Sequence, residues 1–108
     1  MSDQPKGGFF FIPDELMEIF LPRIGCDGVV VYLALCRLLT RAGKNEGPVS
    51  IAALAITSCV SRSTVERVLR RIVELGMVRK FPNTRILAPA RFELVDLKEA
   101  AQLQGTIQ

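Results

Sequence analysis

The sequence predicts a mainly helical α+β domain, in which a three-helix core is followed by a β-hairpin. Three observations lead to this fold class. Two short helical patterns begin at Ser50 and Ser61 and are separated by a tight turn. A longer apolar segment, Gly28–Arg41, precedes them with helical spacing, and extended segments follow Gly76. The chain has 108 residues, of which 49% are hydrophobic, so it can bury one modest core.

The second helix of the pair is predicted over about 61–75. Ser61 is a good N-cap, because its hydroxyl can accept a hydrogen bond from a free backbone N–H of the first turn. Gly76 suits the position after the last turn, where a left-handed backbone ends a helix. Between them, one face of the helix is apolar: Val65, Val68, Leu69, Ile72 and Leu75. The opposite face and its flanks are polar and rich in arginine: Arg62, Ser63, Thr64, Glu66, Arg67, Arg70, Arg71 and Glu74.

The first helix of the pair is shorter, with Ser50 as its predicted N-cap. Its inner face consists of Ile51, Leu54 and Ala55, and Val60 is expected to turn back into the core. The turn lacks glycine. If it requires a left-handed residue, Ser58 or Cys59 must adopt that conformation at some cost.

The N-terminal part is predicted to contain one short helix. Residues 1–8 are polar and expected to be disordered. Phe9–Ile12 is an apolar run that suits either a short strand or a strap over the core. Pro13–Glu15 then opens a helix, because proline and acidic residues favour a first helical turn, and Pro22 is expected to end it.

The central helix is predicted over Gly28–Arg41 with Asp27 as its N-cap, since Leu35, Leu38 and Leu39 continue the helical spacing. Arg41–Pro48 is predicted to be a loop. Val49–Ser50 can add a residue or two of strand before the next helix.

The pattern changes after Gly76. Met77–Phe81 is predicted to be a strand, Pro82–Thr84 a turn, and Ala90–Val95 a returning strand with alternating side chains. Leu97–Leu103 is predicted to form a weakly amphipathic helix within a C-terminal tail, 97–108.

The charge distribution favours a polyanionic partner. The formal net charge is only +3, but residues 61–91 carry +6 and the remainder of the chain −3. A basic half that coincides with the paired helices is typical of a protein that binds a polyanion. The alternative is a solvated arginine-rich helix face without a partner.

The composition argues against a metal site, an enzyme and a membrane span. The chain has no histidine, and its cysteines, Cys26, Cys36 and Cys59, form no C-x-x-C pair, so we expect no metal and reduced thiols in a cytoplasmic protein. Cys36 and Cys59 are expected to be buried or half-buried. A glycine-rich phosphate loop and a nucleophile–base spacing are both missing, so we expect neither catalysis nor a cofactor. The longest apolar run, Val29–Cys36, is much shorter than the ~20 residues of a membrane helix.

Taken together, these motifs resemble a winged helix-turn-helix DNA-binding domain over roughly residues 27–95 of a domain bounded at about 9–96. The residues that carry the resemblance are Leu54-Ala55, Val60-Ser61, Thr64-Val65, Arg67, Leu69, Ile72 and Gly76-Met77-Val78. The leading Phe11–Pro13 and the helix around Val31–Leu35 also resemble the winged-helix domains of plasmid and phage replication proteins, and small bacterial repressors.

The resemblance implies that helix 61–75 reads double-stranded DNA and that the hairpin 77–95 is a basic wing. Ser61, Ser63 and Thr64 would lie nearest the bases, although Ser61 is expected first to cap the helix. Arg67 and Arg70 are candidates for bidentate contact with guanine or for contact with phosphate. Arg62 and Arg71 are expected to contact phosphates, and the wing residues would follow the DNA backbone or enter the minor groove: Arg79, Lys80 and Arg85.

Three further residues have an expected role beside this interface. Glu66 can accept from a cytosine amine, but we favour a salt bridge with Arg62 or Arg70. Phe81 and Phe92 are expected to pack the wing on the core.

The favoured function is sequence-specific DNA binding by a transcriptional regulator. Replication initiation is the first alternative, and docking of an acidic protein on the basic face is the second. An apolar seam from Phe9–Phe11 or Leu97–Leu103 could form a homodimer that reads a palindromic site.

Overall fold

The computed structural model describes residues 12–41, 43–82 and 88–105. These residues form a mainly helical α+β fold, with four α-helices and a three-stranded antiparallel sheet. The helices are α1 (Leu21–Arg41), α2 (Ile51–Ser58), α3 (Arg62–Glu74) and α4 (Leu97–Gly105), and a π-helical turn, Leu16–Phe20, leads into α1. The strands are β1 (Glu46–Pro48), β2 (Val78–Phe81) and β3 (Arg91–Leu94).

The helical region before the core runs further than predicted. Pro22 does not end a helix: it is the second residue of α1 and follows the π-helical turn Leu16–Phe20 without a break in the helical backbone. The chain leaves the helical conformation at Gly25, where φ is 75° and ψ is 177°, a backbone that a residue without Cβ adopts most easily. The prediction of Asp27 as an N-cap is therefore wrong, because the break lies at Gly25 and Asp27 is inside α1.

The core lies where α1, α2 and α3 meet each other and one face of the sheet. Leu35 of α1, Leu54 of α2 and Ile72 of α3 are completely buried there. The partly buried Val60 packs against this core, as predicted. The other large side chains that are almost fully buried come from all layers of the fold: Leu16, Phe20, Val31, Leu39, Val65, Met77, Val78 and Phe92.

Both predicted N-caps, Ser50 of α2 and Ser61 of α3, are present, and the turn between the two helices contains one left-handed residue. The Ser50 hydroxyl accepts from the Ala53 N–H at 3.0 Å, and the Ser61 hydroxyl accepts from the Thr64 N–H at 3.3 Å. Cys59 adopts φ 60° and ψ 32°, so the left-handed position expected at Ser58 or Cys59 falls on Cys59. The turn consequently keeps a tight geometry without glycine, at the conformational cost of a Cβ in this region.

The sheet has one more strand than the sequence predicted. Its order is β1-β3-β2, and both pairings are antiparallel. Glu46–Pro48 was expected to be loop and Val49–Ser50 to be strand, but the strand is β1, which pairs with β3 through Gly47 opposite Phe92. Glycine and proline are poor strand residues in general, yet an edge strand tolerates both.

The predicted hairpin and C-terminal helix are both present. In the hairpin, Val78 pairs with Leu94 and Phe81 with Arg91. Helix α4 follows β3, and its Leu97 and Ala100 are buried in the core. The segments 1–8 and Phe9–Phe11 and residue Arg85 lie outside the described residues.

One helical stretch deserves comparison with a membrane span. In the described part of the chain, Leu16–Arg41 is long and apolar enough, by length and composition, to cross a bilayer. The core helix of a globular domain passes the same test, and here Leu16, Phe20 and Leu35 are completely buried against other parts of the protein. The stretch is therefore weak evidence for a membrane location.

Candidate nucleic-acid interface

Helix α3 has one face in the core and one face in solvent. On the inner face Val65 and Ile72 are completely buried, and Val68 and Leu69 are nearly so. The outer residues are exposed: Arg62, Ser63, Glu66, Arg67, Arg70, Arg71 and Glu74. Because the apolar face holds the helix against α1 and α2, the arginine-rich face is presented outward on a rigid element.

The hydroxyl groups at the start of α3 form a small cluster. The Ser61 hydroxyl donates to Thr64 Oγ1 at 2.9 Å while it accepts from the Thr64 backbone N–H. Ser61 Oγ also lies 3.4 Å from Ser63 Oγ. Ser61 thus caps the helix as predicted, whereas Ser63 is exposed and has no second hydrogen bond among the described residues.

The charges of α3 are only slightly compensated within the described residues. Arg71 lies 3.7 Å from Glu74, and both side chains are at least half exposed. The predicted salt bridge of Glu66 is wrong: among the described residues, Glu66 forms no ion pair with Arg62 or Arg70. The physical reason is that exposed side chains at this spacing gain little from pairing in water. The guanidinium charges of the outer face are therefore available to an external anion.

The basic residues of the hairpin lie on both faces of the sheet. Arg79 donates to Glu93 at 3.0 Å, and Arg91 donates twice to the Glu46 carboxylate, each time at 2.8 Å. These four residues lie on the outer face of the sheet. Lys80 pairs across the strands with the buried Phe92 and is therefore on the inner face, which is directed toward α3.

A first groove, the hairpin-side groove, lies between α3 and the hairpin and has a volume of about 490 Å³. Lys80 from β2 and Arg70 from α3 both line it. The remaining lining residues are Ile51, Glu66, Leu69, Val73 and Glu74. Arg79 does not line this groove, so of the two basic residues of β2 only Lys80 lies beside the face of α3.

A second groove, the α1-side groove, lies on the other flank of α3 and has a volume of about 330 Å³. Its lining contains four arginines, of which Arg23 comes from α1, and one carboxylate. The lining residues are Arg23, Ile24, Arg67, Val68, Arg70, Arg71 and Glu74. Sequence reasoning missed Arg23, because only the packing of α1 against α3 brings it to this flank.

The hairpin aromatics and the thiols have no direct part in this face. Phe92 is buried as predicted, but Phe81 is 43% exposed, because it lies on the outer face of the sheet opposite Arg91. Cys36 is half-buried, and burial raises the pKa of its thiol to about 11. Cys59 is exposed, which contradicts the prediction, since its left-handed backbone is in a surface turn.

Tyr32, which neighbours Cys36, is a further titratable residue that is buried. Burial raises the pKa of Tyr32, and the neighbouring Cys36 raises it further. Across the described ranges, no three His, Cys, Asp or Glu residues lie close enough to hold a metal ion.

Comparison of the chain with family models, curated proteins and solved structures finds no match. Functional inference therefore depends on the site itself.

Proposed function

We propose that this protein binds double-stranded DNA in a sequence-specific manner, as a winged helix-turn-helix transcriptional regulator. Helix α3 would be the recognition helix, and the β2–β3 hairpin would be the wing. The order α2–turn–α3–hairpin agrees with this class of fold, in which the second helix of the pair enters the major groove.

The observation that carries the proposal is the uncompensated positive charge on the outer face of α3. Arg62, Arg67 and Arg70 are exposed and have no carboxylate within salt-bridge distance among the described residues. Guanidinium groups that converge on one surface repel each other, and a polyanion removes this repulsion. DNA supplies a regular array of phosphates together with acceptor atoms on the base edges.

In the proposed complex, the residues of α3 divide into base and phosphate contacts. Arg67 and Arg70 would donate to O6 and N7 of guanine. Glu66 would accept from a cytosine amine, which its lack of a salt-bridge partner in the described residues makes possible. Lys80 would contact a phosphate at the edge of the groove, because it shares the hairpin-side groove with Arg70.

The test is a selection from random duplexes with the purified chain at near-physiological salt, followed by sequencing of the retained DNA. We expect enrichment of one motif. The double variant Arg67→Ala/Arg70→Ala should lose the enrichment, whereas Arg37→Ala should keep it. Arg37 is the control for the loss of one exposed guanidinium, because it lines neither groove.

The form of the motif would also distinguish the biological roles. A palindrome would support a homodimeric regulator with half-sites about one helical turn apart. Direct repeats or single half-sites would favour a replication-origin binder instead. The absence of enrichment from a folded protein would contradict the proposal and favour docking of an acidic protein.

A further inference from the structure

We propose that a small apolar pocket beside the start of the described chain is the docking site of the aromatic run Phe9–Phe11 of the same molecule. The pocket, called the N-terminal pocket below, has a volume of about 190 Å³ and contains Pro13 in its lining. Phe9–Phe11 itself lies outside the described residues. The proposal goes beyond the proposed function and does not rest on it, because none of the described lining residues belongs to α3.

The first step is the apolar character of the pocket. Leu16 of the π-helical turn and Tyr32 of α1 form its almost fully buried walls. Leu33 and Cys36 of α1 and Leu94 of β3 also line it, but they are only partly buried. No charged side chain is among the described lining residues. An apolar occupant would remove the remaining exposed surface of these walls from water, which is favourable.

The second step is that the polar groups of the pocket favour no polar ligand. The hydroxyl of Thr40, a further lining residue, donates to the carbonyl oxygen of Cys36 at 2.8 Å. Among the described side chains, no buried nitrogen or oxygen atom lacks a hydrogen-bond partner. A polar ligand would therefore give up its hydrogen bonds with water without gaining equivalent ones, whereas a phenyl ring has none to lose.

The third step is the size of the pocket. An apolar protein cavity of about 150 Å³ binds a benzene molecule. The N-terminal pocket, at about 190 Å³, therefore has room for one phenyl ring. Docking consequently requires only one of the three rings of Phe9–Phe11 to enter.

The fourth step is the position of the run in the chain. Phe11 precedes Pro13 by two residues and Phe9 precedes it by four. Because an extended chain spans at most ~3.6 Å per residue, the Cα atom of Phe9 lies within roughly 14 Å of that of Pro13. All three rings can therefore reach the pocket. A short tether also gives an effective concentration in the millimolar range, which a second copy or a free ligand would have to exceed. The run of the same chain is therefore the favoured occupant.

The test uses the Cys36 thiol, which lines the pocket, as a reporter of its occupancy. The reference protein carries Cys26→Ser and Cys59→Ser, because both of these thiols are exposed and would react as well. The rate at which iodoacetamide alkylates Cys36 is then measured under native conditions. A matched control is Met17→Ser in the same background, since Met17 is an exposed apolar residue outside the pocket lining.

The decisive variant replaces all three aromatic residues: Phe9→Ser/Phe10→Ser/Phe11→Ser in the same background. We expect its Cys36 to react at least about tenfold faster than that of the reference protein, because the burial of one aromatic ring is lost. Met17→Ser should react at the reference rate. If the triple variant also reacts at the reference rate, the run does not cover Cys36, and the proposal is overturned.

A urea series below the unfolding transition separates local uncovering from a general loss of stability. After local uncovering, the alkylation rate of the triple variant should depend only weakly on urea. Alkylation through global unfolding should instead rise steeply with urea, because much more surface is exposed in that reaction. A fast rate with the steep dependence would overturn the proposal, since the run would then only stabilise the fold.

A dilution series distinguishes the run of the same chain from that of a second copy. Protection of Cys36 in the reference protein should not change with protein concentration. If the protection is lost on dilution, the covering run belongs to a second molecule, and the intramolecular assignment is overturned. None of these results depends on DNA, so the proposed function is tested separately by the selection from random duplexes.

Discussion

The outer face of α3 and the outer face of the sheet both carry arginines, but the two surfaces differ in how closely carboxylates pair with them. On the sheet, Arg79 and Arg91 each lie within 3.0 Å of a carboxylate, and the Arg91–Glu46 contact is bidentate. On α3, the one described ion pair joins Arg71 and Glu74 at 3.7 Å. The two surfaces thus have similar residue types, but the charges of the sheet arginines are neutralised and most of those on α3 are not.

The comparison shows that the number of basic residues in a segment does not predict how much of their charge is neutralised by neighbouring carboxylates. In the β-pairs, strand register brings opposite charges to the same face at a fixed short distance. On α3, the outer arginines have few acidic neighbours, so their charge extends into solvent. We therefore expect DNA binding to depend on α3 and Lys80 and to be insensitive to the paired arginines of the sheet.

The largest expected effect is on base recognition by α3. Arg70→Ala should cost about 1–3 kcal/mol of affinity for the selected duplex, because a bidentate contact with guanine would be lost. It should also relax the preference at one base position. Fluorescence anisotropy with the selected duplex and its single-base variants measures both changes. If Arg70→Ala and Arg91→Ala bound the selected duplex with equal affinity, α3 and the sheet would not differ in their contribution to DNA binding.

A second effect separates Lys80 from Arg79, the two basic residues of β2. Lys80→Ala should weaken binding to all duplexes alike and lower the salt slope by about 0.9, as expected for one phosphate contact. The matched control is Arg79→Ala/Glu93→Gln, which removes the same number of positive charges but also the carboxylate that neutralises Arg79. This control should keep the wild-type slope. A lower slope in the control would show that Arg79 leaves Glu93 to contact DNA.

A third effect concerns the N-cap of α3. Ser61→Ala should lower the free energy of unfolding by about 1 kcal/mol, because an N–H of the first turn loses its acceptor. Ser61→Asp restores a good cap but places a negative charge at the end of the helix that would face DNA in the proposed complex. It should therefore retain stability and lose affinity. Chemical denaturation together with duplex titration measures the two quantities, and retained affinity in Ser61→Asp would contradict the proposed orientation of α3.

The smallest expected effect is the stability gained from the Arg91–Glu46 pair. A double-mutant cycle with Arg91→Ala and Glu46→Ala should give a coupling energy of about 0.2–1 kcal/mol, since the pair is partly exposed. The same variants should bind DNA with wild-type affinity. A change in affinity would indicate that the outer face of the sheet takes part in binding.

Local patterns predicted a large part of the fold. The caps at Ser50 and Ser61, the apolar face of α3 and the hairpin were all predicted because each depends on residues a few positions apart. The same local reasoning placed the end of a helix at Pro22, which the structure contradicts. Proline alone does not show whether it begins a helical turn or ends one.

The predicted candidate site was less complete than the predicted fold. Sequence periodicity grouped the arginines of α3 on one face, and the structure has them there. It did not identify Arg23, nor did it distinguish Lys80 from Arg79, because those assignments depend on the packing of α1 and on the register of β2 with β3. Arg85 was predicted as a contact and lies outside the described residues.

The sequence by itself determined the helix pair, its caps and the amphipathic character of α3, since these follow from hydrogen bonds and side-chain spacing within a single segment. Only the tertiary structure decided which cations are neutralised and which remain available. That decision is long-range: Glu46 reaches Arg91 through the pairing of β1 with β3, and Lys80 reaches the face of α3 through the register of β2 with β3. Whether two charged groups interact depends on the distance between them in the folded protein, and the spacing of residues along the sequence does not give that distance.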